Sequence, residues 1–208
     1  MRLELAERLR CPAAHTATAL VVVATRLADR ELVEASVGCP VCRLEARVQD
    51  GDVVFPDAPR NGAPHRAMDD AAAGDRLIAL LGLAEPGGAV LLTGRYIALA
   101  AALAEAVNVA VMCLGAPPPT RAAGVSAVHA PVGSVPFTDG TFRAAALDAG
   151  VDASTVREAV RTVSAAGRVV GALPLERPPG VSELARDGRE WVGERDAGAS
   201  GVVPLRRA

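Results

Sequence analysis

The chain has 208 residues and a formal net charge of −2; half of it is hydrophobic, yet only 2% is aromatic. That length suits one medium domain plus a small module, and charges of both signs interspersed along it argue against a nucleic-acid-binding stripe. All 22 basic residues are arginine, as GC-rich coding favours, and with so few rings the core must pack through Ala, Val and Leu by close backbone approach.

The opening MRLELAERLR is charged throughout, unlike a secretory leader. The longest apolar run, residues 97–119, is broken by Glu105 and Asn108 and reads as a helix followed by a strand rather than a membrane span. The expectation is a soluble, cytoplasmic protein whose four cysteines are reduced, so that paired cysteines suggest metal before disulfide.

Residues 1–57 read as a small β module, with a strand over Thr18–Thr25 and a hairpin over Leu44–Phe55 split by Asp50-Gly51. Residues 58–68 are rich in Pro, Gly and Ala and read as a linker. From Asp69 the pattern alternates between helix and strand. Helices are predicted over Asp69–Leu83 and Arg95–Val107, and strands over Ala89–Leu92, Asn108–Leu114, Val125–His129 and Ala144–Ala149, with a stiff loop at Pro117–Pro119. The next helix has Asp152 as its cap, Val156, Val160 and Val163 on one face, and Gly167 as its stop; a fifth strand follows. The tail reads as a short helix over Val181–Arg186 and an antiparallel strand pair, Glu190–Arg195 and Gly201–Arg206. Repeated strand–helix units predict an α/β fold: a mostly parallel sheet covered on both faces, with a terminal antiparallel hairpin.

CPAAH (Cys11–His15) and CPVC (Cys39–Cys42) carry the sharpest chemistry. Zinc takes four thiolate or imidazole ligands in a tetrahedron, and two short loops that each donate a pair meet that need. Cys11, His15, Cys39 and Cys42 are therefore the candidate metal ligands, closing a structural rather than catalytic site that would help a segment with a thin core to fold. A redox-active CxxC and a set of buried, metal-free thiols are the other readings of the same residues.

GCPVCRLEARVQDGDVVF (Gly38–Phe55) resembles the zinc-ribbon activators and N-terminal zinc modules associated with methyltransferases, in which a CPxC knuckle leads into a strand, a DG turn and a second strand. CPAAH departs from that family's usual first knuckle. SVPFTDGTFRAAALDAG (Ser134–Gly150) and VREAVRTVSAAGRVVGALP (Val156–Pro174) resemble the fourth-strand and fifth-strand regions of class I S-adenosylmethionine-dependent methyltransferases. The collinear resemblance covers residues 69–208 and implies a Rossmann-like sheet of seven strands. It also implies where S-adenosylmethionine would sit: against Thr93, Gly94, Cys113, Phe137 and Asp148.

The polar features that the resemblance requires there are missing. The turn LLTGRY (Leu91–Tyr96) has a single glycine, no carboxylate and the bulky Arg95 and Tyr96. The second strand ends in Met112 and Cys113 rather than in an acid for the ribose. HAPVG (His129–Gly133) has no acid for the adenine, and Arg143 follows Phe142 where the family has Asp. Asp148 reads as an acceptor, a base or a loop cap, and Cys113 as a thiol or a buried hydrophobe. His129 reads as a pocket or surface histidine, and Trp191 as a core anchor. No catalytic residue is assigned. Two functions are expected of such a chain: a non-catalytic or regulatory methyltransferase-like protein acting through a partner or self-association, or a divergent active methyltransferase.

Overall fold

The computed structural model describes residues 1–59, 71–115 and 122–198. A single helical turn α1 (Leu3–Ala6) precedes an antiparallel meander of β1 (Val21–Ala28), β2 (Glu31–Gly38), β3 (Glu45–Gln49) and β4 (Asp52–Val54). Then come α2 (Ala71–Leu80), β5 (Ala89–Thr93), a 3-10 segment (Gly94–Leu99) running into α3 (Ala100–Val107), β6 (Ala110–Leu114) and β7 (Val125–His129). Last are β8 (Phe142–Leu147), α4 (Ala153–Thr162), β9 (Val163–Ala172), β10 (Val181–Arg186) and β11 (Glu190–Arg195).

Among the described residues the strands form one 11-stranded sheet in the order β1-β2-β3-β4-β7-β6-β5-β8-β9-β11-β10. Strands β5 to β9 are mutually parallel, and β11 lies antiparallel between β9 and β10. The expected mixed α/β sheet with its terminal antiparallel hairpin is present. Counted by themselves, the five parallel strands run 3-2-1-4-5, the doubly wound order whose switch point lies between the first and fourth strands, here β5 and β8.

Successive residues of the central strands divide between two apolar layers, as period-2 side chains must. Leu91, Met112 and Ala145 pack on one face with Leu5, Leu9 and the α4 residues Val156 and Ala159. Val90, Leu92, Val111 and Ala146 pack on the other with Leu77 of α2 and Leu103 of α3. The run Ala144-Ala145-Ala146 in β8 is wholly buried, so the helices approach the sheet closely there, the small-residue packing that the composition requires.

Several sequence expectations need correction. Val181–Arg186 is a strand, not a helix: residues 187–189 turn the chain into β11, and the Asp187 carboxylate accepts the backbone N–H groups of Arg189 and Glu190 at 2.7 and 2.9 Å. The antiparallel pair is therefore β10–β11. The expected strand Gly201–Arg206, the Pro117–Pro119 loop, most of the linker and the first residues of the Asp69–Leu83 helix lie outside the described residues. Asp152 caps α4 as expected, accepting the N–H groups of Ser154 and Thr155. Gly167, however, does not stop that helix. The chain passes from Thr162 straight into β9, and Gly167 sits in the irregular stretch where Phe142 pairs with Val163 but Ala144 pairs with Arg168. A methyl group there would press on the Arg143 carbonyl and Val163. β2 was not anticipated, although ELVEASVG alternates as a half-buried strand does.

Trp191 is the core anchor that the sequence suggests. It lies fully buried opposite Gly171 across the β9–β11 pair, its indole N–H donating to the Leu175 carbonyl at 2.7 Å. A Cβ at position 171 would overlap the indole ring. Gly171→Ala is therefore expected to destabilise the protein by about 1–3 kcal/mol in urea unfolding; an unchanged midpoint would contradict this packing.

Candidate functional site

The four expected metal ligands converge. Cys11 and His15 lie on the loop between α1 and β1, and Cys39 and Cys42 on the turn between β2 and β3; their ligand atoms all lie within 4.8 Å of one another. Three edges of the cluster measure 3.6 Å (Cys11 Sγ to Cys42 Sγ), 3.2 Å (His15 Nε2 to Cys11 Sγ) and 3.4 Å (His15 Nε2 to Cys39 Sγ). A tetrahedral zinc with ordinary bond lengths sets thiolates about 3.8 Å apart, and a thiolate and an imidazole nitrogen about 3.6 Å apart. The cluster is close to those spacings. His15 Nδ1 lies 2.7 Å from the Thr16 carbonyl, a contact that fixes the ring with Nδ1–H donating and leaves Nε2 free to ligate.

Burial opposes the Cys39 thiolate, but the backbone N–H groups of Cys42 and Val41, together with the neighbouring thiols, outweigh it and bring the group down to about 6. Burial pushes Cys11 the other way, to about 11. Cys39 is thus the thiol readiest to ionise, and a cation at the centre would supply the charge that ionises the others. The residues fit a closed zinc site, with all four ligands supplied by protein.

The loop bearing Cys11 is also tied to the parallel sheet. Leu9 pairs with Phe137, the Arg10 N–H donates to the Pro136 carbonyl at 3.0 Å, and Thr138 N–H donates to the Arg8 carbonyl at 2.9 Å. The cluster therefore sits between the meander and the VPFTDGTF stretch.

The second candidate site is the switch point. β5 ends at Thr93 and β8 at Leu147, so the crevice of a doubly wound sheet lies above Gly94 and Asp148. Here the chain's own groups meet in that space. Asp148 accepts the Arg95 backbone N–H at 3.0 Å, and its own N–H donates to Thr93 Oγ1 at 2.8 Å. Gly94 has φ of +50°, and a Cβ on it would overlap the Asp148 carboxyl, so its glycine serves a contact within the protein. Asp148 holds the first turn after β5 and also accepts the Ala149 N–H at 2.8 Å, contacts in keeping with a loop cap.

Tyr96 continues the closure. It is buried, and its hydroxyl donates to Glu190 at 2.9 Å. Burial raises the phenol, and the Glu190 carboxylate adds to this against the opposing pull of Arg95, so the ring stays neutral. Arg76 donates to Glu190 at 3.0 Å and to Asp187 at 2.6 Å, and Arg95 lies over the Tyr96 ring at 5.2 Å. A small cavity of about 220 Å³ remains beside these side chains, lined by Arg76, Arg95, Tyr96 and Glu190 among others.

Of the five residues expected against a cofactor, Thr93, Gly94 and Asp148 come together. Cys113 is buried in the layer with α2 and α3, whereas Phe137 is buried in the opposite layer, edge-on to Phe142 with ring centroids 5.0 Å apart. His129 is half-buried at the end of β7, where its carbonyl accepts the Phe55 N–H. Glu190 was read only as the start of a strand; the signal for its role is a carboxylate at the head of an otherwise buried strand, Glu-Trp-Val-Gly.

No protein-family model matches the sequence, and no curated protein does. Solved structures similar to this chain include several methyltransferases. One is an S-adenosyl-L-methionine-dependent methyltransferase by its description, from Methanococcus maripaludis, at 11% identity over 60% of this chain and 83% of that one, with a TM-score of 0.45. Another is the antibiotic-resistance methyltransferase Kmr, at 13% identity over 60% and 93%, with a TM-score of 0.42. A third is geranyl diphosphate C-methyltransferase from Streptomyces coelicolor A3(2), at 18% identity over 49% and 42%, with a TM-score of 0.39. The chain thus spans less than half the length of that third enzyme. Likenesses of this size add nothing to the strand order described above.

The Glu190 network predicts a stability effect. Glu190→Ala leaves the buried Tyr96 hydroxyl without its acceptor and is expected to cost about 1–3 kcal/mol in urea unfolding, with Tyr96→Phe costing about 1 kcal/mol; equal midpoints for all three proteins would contradict the pairing.

Proposed function

We propose that the chain is a zinc-stabilised, methyltransferase-like protein that does not bind S-adenosylmethionine in the usual way and acts without catalysis, as a regulatory or partner-binding protein. The observation that carries this reading is the closed switch point. For a nucleoside to enter, the Asp148 carboxylate would have to leave the Arg95 backbone, and the Tyr96 ring would have to break its bond to Glu190. The acids that would hold a ribose and an adenine are absent from the ends of β6 and β7, which terminate in Leu114 and His129. Each missing charged hydrogen bond is worth about 1.5–3 kcal/mol, and about 1.4 kcal/mol is tenfold in affinity. Loss of several removes binding at cellular concentrations. The thiol-rich metal cluster suits a reducing, cytoplasmic setting.

Titration calorimetry tests the reading. Neither S-adenosylmethionine nor S-adenosylhomocysteine is expected to bind up to about millimolar concentration; a dissociation constant in the micromolar range (about −8 kcal/mol) for either would overturn it and favour a divergent active methyltransferase.

In this proposal Cys11, His15, Cys39 and Cys42 hold structural zinc. Metal analysis of the purified protein is expected to find about one zinc per chain, lost in Cys39→Ser together with a fall in thermal stability. A metal-free chain that is fully folded would refute the zinc role.

A further inference from the structure

We propose that the outer face of the β1–β3 meander is the interface of a two-fold homodimer. This goes beyond the reading above and stands whether or not S-adenosylmethionine binds.

The inner face of the meander belongs to the core: Leu32, Ala35, Val37, Ala46 and Val48 are buried. The outer face lies on the same side of the sheet as α2 and α3, but their apolar layer takes its strand residues from β5–β9 and β11, and among the described residues none of β1–β3 belongs to it. Val21 and Val23 are left 55% and 59% exposed, against the general rule that β-branched residues of a sheet pack on something. A cleft of about 530 Å³ runs beside them, bounded by Ser36, Gly38, Glu45 and Arg47.

The strand register makes this face complementary to itself. Val22 pairs with Val37 and Val37 with Ala46, giving a central row across the three strands. On one side of it the outward row is Val21, Gly38, Glu45; on the other it is Val23, Ser36, Arg47. Each row therefore holds one valine, one small residue and one charge, and the charges are opposite. A two-fold axis lying along the central row, between two facing copies, sets each row over the other row of the second copy. Valine then meets valine, the small residues face each other, and Glu45 faces Arg47 in both directions. A two-fold interface requires this kind of self-complementary patch. Neither Glu45 nor Arg47 forms an ion pair with another described residue, so both charges remain available for a second copy.

Sedimentation velocity on the full chain tests the arrangement through its charge pattern. The unmodified protein is expected to dimerise at micromolar concentration. Glu45→Arg alone, or Arg47→Glu alone, places two like-charge contacts across the axis and is expected to weaken the dimer at least about tenfold. The double variant, Glu45→Arg with Arg47→Glu, restores opposite charges in both contacts and is expected to return to within about threefold of the unmodified protein. All of these positions are exposed, so circular dichroism should be unchanged in the variants, and recovery in the double variant separates interface loss from misfolding. A monomer at about 100 µM, a dimer that the single variants leave intact, or a double variant as weak as the singles would overturn the proposal.

Discussion

The molecule depends on a short join. β4 has only three residues, and two of them pair with β7: Val53 with Val128 and Val54 with His129. Beside them the buried Asp52 carboxylate accepts the Ala127 N–H at 2.8 Å. Through this contact a four-stranded meander and a seven-stranded, mostly parallel array become a single sheet. So few ladder bonds would be a weak link by themselves, and two other features brace it. Val53 lies at the centre of the apolar layer shared with Leu9 and Phe137, and the Arg8–Arg10 segment runs alongside Pro136–Thr138. Removing water from that face of the join makes its few hydrogen bonds count for more than they would at an exposed edge.

The same economy explains the switch point. In an open doubly wound sheet the crevice above the strand ends exposes the backbone N–H groups that begin the next helix, and these find partners in side chains, water or a ligand. Here Asp148 supplies one such partner. It takes the Arg95 N–H, while Thr93 takes the N–H of Asp148 in return. Fold and site are thus separable. The strand order is that of a doubly wound sheet, and Thr93, Arg95 and Asp148 at its carboxyl ends bond to one another; the fold by itself does not name an activity.

How much was legible in the sequence follows the range of the forces involved. Val125–His129 has its expected bounds, and Asp50-Gly51 turns its hairpin, because short apolar runs and turn residues act locally. The Cys/His cluster was legible too, since two short loops that each carry a pair of donors form a local pattern. What escaped was long-range. Val181–Arg186 has a sequence that tolerates a helix, and it is a strand because β11 lies beside it. Gly167 looks like a helix stop but serves the close approach of β8 and β9. Glu190 meets Tyr96 from 94 residues away, and no local pattern encodes such a pairing.

Trp191, the chain's one tryptophan, is buried against Gly171 in the half of the sheet farthest from β1. Its emission is therefore a reporter of one end of the molecule. The indole is fully buried there, with its N–H on the Leu175 carbonyl. Fluorescence will register melting of the β9–β11 end directly, and events around Cys11 to Cys42 only as far as they are transmitted through the apolar layer that Trp191 shares with Cys11 and Cys39.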